Sequence, residues 1–145
     1  MKKYLLLLVL ALGISAMTTA QNYIGKTKKQ ILTILDDRAI DYEVYYTAGG
    51  DEGISYETDG EKRVYLIGVK GICDWYMVLS NNQDFLFKTR RYAVQAGFRE
   101  SSVGEDYTYT YKKSGAKILV GKCPEDVDSD HSFYGWIFFM IYTAQ

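Results

Sequence analysis

The chain has one histidine, His131, and two cysteines, Cys73 and Cys123, so catalysis through an imidazole or a thiolate would have to use these positions. Cys123 and His131 bound the most polar stretch of the sequence, CPEDVDSDHS, which also offers Asp126 and Asp128 as orienting carboxylates. A small hydrolase using Cys123 and His131, or a carboxylate pair, is therefore one reading. Within the same stretch Asp126, Asp128 and Asp130 have the D-x-D-x-D spacing with which calcium loops gather carboxylates around a hard cation. The remainder of that motif is missing, because His131 stands where the loop needs Gly and Ile137 stands where it needs a bidentate Glu. A solvated acidic loop is the plainer reading. No nucleophile elbow, phosphate loop, dinucleotide fingerprint or paired-cysteine zinc pattern occurs. The expectation is a chain with no catalytic residue, no cofactor and no metal.

Aromatic side chains offer a different chemistry. The sequence has 14 Tyr, 6 Phe and 2 Trp, and Tyr and Trp, with an apolar body and a polar tip, suit protein interfaces and stacking on sugar rings. They equally suit a core in which strands exchange cross-strand aromatic pairs. The longest uncharged run outside the N-terminus is FYGWIFFMIY, Phe133 to Tyr142. It is too short for a membrane helix and rich in strand-forming residues, so it is read as the central strand of a sheet. With period 2, Phe133, Gly135, Ile137, Phe139 and Ile141 share one face, and Tyr134, Trp136, Phe138, Met140 and Tyr142 share the other. Both faces are apolar, so both are covered or one binds something. The Phe139 face is expected to be core. Tyr134, Trp136 and Phe138 are the candidate binding residues, covered in part by helices or by a second subunit.

These residues need elements to position them. Thr27 and Gln30 form a capping box ahead of an amphipathic helix over 28–39. Four short strands follow, Tyr42 to Thr47, Ile54 to Thr58, Arg63 to Val69 and Ile72 to Ser80, with Asp59-Gly60 as the strongest hairpin signal. In the fourth, Cys73, Trp75, Met77 and Leu79 form the better core face. Asn81 or Asn82 then caps a helix over 83–96 that ends at Gly97. The last third holds strands Tyr107 to Lys112 and Ala116 to Lys122 around Ser114-Gly115, then the central strand. The order α-β-β-β-β-α-β-β-β, with strands joined by short turns, predicts a two-layer α+β domain: an antiparallel meander with both helices on one face.

Residues 1–20, MKKYLLLLVLALGISAMTTA, have the basic, apolar and small-residue regions of a secretory signal, with a cut before Gln21. The apolar run is shorter than a spanning helix needs, and no Cys follows it for lipidation. The expected mature chain, 21–145, is one periplasmic or secreted domain without a membrane anchor. Removing the signal takes away Lys2 and Lys3, leaving 15 basic and 18 acidic residues and a net charge of −3. With that sign and no basic run, nucleic acid is not an expected partner. Cys73 at the start of one strand and Cys123 at the end of another would lie side by side in antiparallel neighbours. An exported chain could then bridge them, and two buried free thiols are the alternative.

The segment IGKTKKQILTIL, followed by short strands and a Cys-x-Trp-Tyr strand, resembles small exported proteins of Bacteroidetes with no assigned activity. Its Gly-x-Thr opening before an apolar helix also resembles the domain shared by the outer-membrane assembly lipoprotein family and the β-lactamase inhibitor protein family. The chain departs from the lipoproteins in lacking the lipidated Cys and in having one helix before the first strand. The resemblance implies a non-catalytic binding or assembly role and carries over no functional residue. The expected function is thus a small exported binding or interaction domain for a protein or glycan, with homo-oligomerisation as one form of partnership.

Overall fold

The structure, a computed structural model, describes residues 23–104 and 108–145. The expected signal segment and Tyr107 lie outside them. Helix α1 (Lys28–Asp37) is followed by strands β1 (Glu43–Tyr46), β2 (Glu52–Thr58), β3 (Glu61–Ile67) and β4 (Cys73–Ser80). Helix α2 (Phe85–Gln95) is followed by β5 (Arg99–Val103), β6 (Tyr109–Lys113), β7 (Ala116–Lys122) and β8 (Phe138–Ala144). The protein is α+β, and the described strands form one 8-stranded sheet in the order β1-β2-β3-β4-β8-β7-β6-β5. Every neighbouring pair is antiparallel.

Local chemistry sets the element ends. At α1 the Thr27 hydroxyl accepts the Gln30 amide and the Gln30 side chain accepts the Thr27 amide, the reciprocal capping box expected from the sequence. Both helices close alike. Ala39 (φ 53°) and Gly97 (φ 86°) turn left-handed, and the next amides, Ile40 and Phe98, donate to Leu35 and Ala93 at 3.0 Å. Asn82 does work at the start of α2, its side chain accepting the Asp84 amide at 2.9 Å. Asn81 is used elsewhere.

The strand residues divide by parity between two apolar clusters. The first holds Ile31 and Leu35 of α1, Phe85 and Ala93 of α2, and strand residues including Tyr65, Tyr76, Val78, Ile118, Val120, Phe138 and Met140. The second holds Val64, Met77, Leu79, Cys123 and Phe139, with Trp75, Leu119, Ile141, Phe133 and Trp136 packed against it, and neither helix contributes to it. Most of the aromatic content serves the first cluster. Tyr23, Tyr56, Tyr65, Tyr76 and Tyr111 are buried there, and the Tyr65 ring lies 4.9 Å from Tyr23 and 5.9 Å from Tyr76.

Several expectations are corrected. The final strand is central, between β4 and β7, but it begins at Phe138, because 133–136 form turns in which the Trp136 amide donates to Phe133 and Gly135 takes φ 80°. The sheet is two four-stranded meanders, since α2 carries the chain from β4 in the middle to β5 at the far edge. Strand β5, Arg-Glu-Ser-Ser-Val, was not expected as a strand. It is an exposed edge strand with no apolar alternation to announce it. In β4 the alternate face, Tyr76 and Val78, joins the helix-bearing cluster. A register shift at Leu66/Ile67 sends Cys73 to that side as well, away from Trp75, Met77 and Leu79.

The cysteines are free. Strands β4 and β7 both pair antiparallel with β8 and so run parallel to each other, which puts the start of one and the end of the other at opposite ends of the sheet. The separation exceeds about 20 Å along the strands, against the roughly 7 Å between Cα atoms that a disulfide tolerates. Cys73 and Cys123 also belong to different clusters.

Candidate functional site

Across β3, β4, β8 and β7 the face to which neither helix contributes carries Val64 and Leu66, then Trp75, Met77 and Leu79, then Phe139 and Ile141, then Leu119, with Lys62, Thr143 and Lys117 at the ends of its rows. Val64, Met77, Leu79 and Phe139 are buried, and Leu66, Trp75, Leu119 and Ile141 are half-buried. The flanking positions become polar, with Ser55 and Glu57 on β2 and Thr110 and Lys112 on β6. At the outer edge the Tyr45 ring lies flat over Gly53, where a side chain would approach within 2.6 Å of the ring. This face is therefore an apolar stripe with a polar rim, the composition of a recognition surface.

One end of the stripe is covered by residues 123–137, the connection between β7 and β8, which we call the strap. Its Phe133 ring sits 5.3 Å from Phe139, and Trp136 packs on the same cluster. Asn81, at the end of β4, fastens it: the Asn81 amide group donates to the Gly135 carbonyl at 3.1 Å, and the Ile137 amide donates to the Asn81 carbonyl oxygen at 2.9 Å. At the neck the Cys123 amide donates to Ile137 at 2.8 Å. Under the strap lies a groove of ≈ 320 Å³ lined by Cys123, Phe133, Tyr134, Trp136 and Ile137, with Lys122 and Glu125 at its margin.

The candidate binding residues are divided by this arrangement. Tyr134 is 56 % exposed on the strap, and Trp136 is half-buried in the groove. Phe138 is on the other side of the sheet, buried with its ring 6.5 Å from Phe85 of α2. Trp75 and Ile141, expected on core faces, are half-buried, and Leu66 beside Trp75 was not singled out. Continuous apolar alternation on both parities of β4 and β8 was the available signal, but it does not say which parity the helices cover.

The catalytic candidates do not converge. His131 is exposed on the strap, with its Nδ1 accepting the Phe133 amide at 3.2 Å. Cys123 is buried at the floor of the groove, and burial pushes its thiol pKa up to about 11. Activation of a nucleophilic thiol needs the opposite shift. Cys73 is likewise raised to about 11, chiefly by burial. Asp126, Asp128 and Asp130 are exposed, and among the described residues no three acidic, His or Cys side chains come together as a metal site. Among the same residues no helix is long and apolar enough to cross a membrane.

No family model matches the chain, and no curated protein or solved structure matches it either.

Proposed function

We propose that this chain is an exported, non-catalytic binding domain. It is a two-layer α+β unit in which both helices share one side of the sheet, and the other side receives a protein or glycan. The observation that carries this reading is the apolar cluster on β3, β4, β8 and β7, to which neither helix contributes: Val64, Met77, Leu79 and Phe139 are buried in it, while Leu66, Trp75, Leu119 and Ile141 stay half-buried. Apolar rows left partly open and rimmed by polar residues are typical of interaction sites. The signal-like residues 1–20 and the resemblance of IGKTKKQILTIL to exported binding and assembly domains point the same way. A hydrolase using Cys123 and His131 has less support, because a buried thiol with a pKa of about 11 is protonated at neutral pH.

The test is capture of partners from the native periplasm or culture medium by the wild-type chain and by a Trp75→Lys variant of unchanged secondary structure. Partners held by the stripe are retained by the first and lost by the second. An identical set of captured proteins from both would refute the reading.

A further inference from the structure

The element order is one α-β-β-β-β unit followed by another, and the sheet order is unchanged when each strand of the first unit is exchanged for its counterpart in the second. The details repeat as well as the topology. The β2–β3 turn holds Gly60 at φ 73° and the β6–β7 turn holds Gly115 at φ 74°. The two left-handed helix ends, at Ala39 and Gly97, are followed by equivalent Ile40 and Phe98 amide bonds to Leu35 and Ala93. Counting from Gly60 and Gly115 makes Lys62 the counterpart of Lys117 and Val64 the counterpart of Leu119. Val64 pairs with Met77 and Leu119 pairs with Ile141. Met77 and Ile141 are therefore counterparts, and so are Trp75 and Phe139.

The helix-free face thus carries two equivalent aromatic positions, which the chain treats differently. In the second unit the connection 123–137 folds back so that its Phe133 lies on Phe139, which is only 7 % exposed. In the first unit the corresponding connection is residues 68–72, too short to reach back, and Trp75 stays half-buried beside Leu66. Each position has its lysine two strands away in the same cross-strand row. Lys62 pairs with Leu79, which pairs with Phe139; Lys117 pairs with Thr143, which pairs with Trp75. The strap that fills one position combines Phe133 with Glu125, Asp126, Asp128 and Asp130.

We infer that the Trp75 end is the vacant counterpart of the strap site. Its occupant is a turn of another protein that presents an aromatic side chain to Trp75 and carboxylates toward Lys117. This rests on the binding-domain reading and names the partner's chemistry. Phe133 on Phe139 shows the ring packing such a turn would reproduce, and Lys117 with its cross-strand neighbour Lys112 gives the row's end the charge that attracts carboxylates. Aromatic anchors of this kind dominate protein interfaces.

The experiment titrates the full chain, labelled for amide NMR, with a synthetic peptide of residues 124–137. The expected result is shifts at Leu66, Trp75 and Thr143, at least tenfold weaker binding to Trp75→Ala, and severalfold weaker binding to Lys117→Glu, each variant first shown to keep the wild-type amide spectrum outside the site. Shifts confined to Phe139 and Gly121 would mean that the peptide only competes with the resident strap, and would overturn the inference. So would no binding, or a linear β-glucan hexasaccharide shifting Trp75 where the peptide does not. If the peptide fails while Trp75→Lys still loses captured partners, the occupant is wrong and the binding-domain reading survives.

Discussion

Truncating Phe138 to Ala tests the division of the final strand into two faces. Phe138 is 4 % exposed, opens β8 opposite Ser80 and Lys122, and stacks on Phe85 of α2. Removing a buried phenyl ring costs about 3–5 kcal/mol, combining lost transfer free energy with the cavity left behind. Domains of this size have only about 5–15 kcal/mol in total. At a urea dependence of about 1–3 kcal/mol per molar, the denaturation midpoint should fall by roughly 1–5 M with its slope unchanged. Tyr134→Ala is the control, because this side chain is 56 % exposed on the strap and its loss should change stability by no more than about 0.5 kcal/mol. A Phe138→Ala loss below about 1 kcal/mol, or equal losses for the two variants, would refute the burial of Phe138.

Alkali should destabilise the protein. Burial raises the Cys73 and Cys123 thiols to about 11 and Tyr23 to about 12, and it raises Tyr65 and Tyr76 as well. Above pH 9 the unfolded chain loses protons that the folded chain keeps, so stability present below pH 9 is lost between about pH 9 and 12. Urea midpoints measured across that range should decline, and a rising midpoint would contradict the burial of these groups. Ala39→Gly should stabilise by about 0.5–1 kcal/mol in thermal or urea unfolding, since Ala39 holds φ 53° where its counterpart is already Gly97. Intact mass of material recovered from the exporting compartment should begin at Gln21, and a retained Lys-Leu segment would remove the argument for export.

The sequence announced the parts of this fold whose chemistry is local. Thr27 with Gln30, Asp59-Gly60 and Gly97 each satisfy backbone groups within a few residues, and each is found where expected. Strand β7 matched its expected bounds for the same reason, lying between a Ser-Gly turn and a proline. What the sequence could not show was set by distant residues. Phe138 and Phe139 are chemically alike, and only the placement of α2 decides which of them meets a helix. The bulge beside Cys73 reverses one side chain, and Gly68, which leaves room for Asp74 there, reads in the sequence only as a turn residue. Strand β5 depends on β6 for its existence, and its own residues are polar. The relation between the two units escaped because it survives in turn spacing and backbone angles, while equivalent positions such as Trp75 and Phe139 share little beyond ring character.

The central position of β8 has a consequence for how the chain comes to be folded. The strand that joins the two halves of the sheet follows every other described strand in the chain, and until it emerges β4 and β7 each have an unpaired inner edge. The sheet cannot close before β8 is available, so its closure relies on contacts distant in sequence. Until then the open edges are sites for pairing with other chains. Pairing on both sides also makes β8 intolerant of deletion. Loss of even the final few residues would unpair Tyr142 and Thr143 from both halves at once.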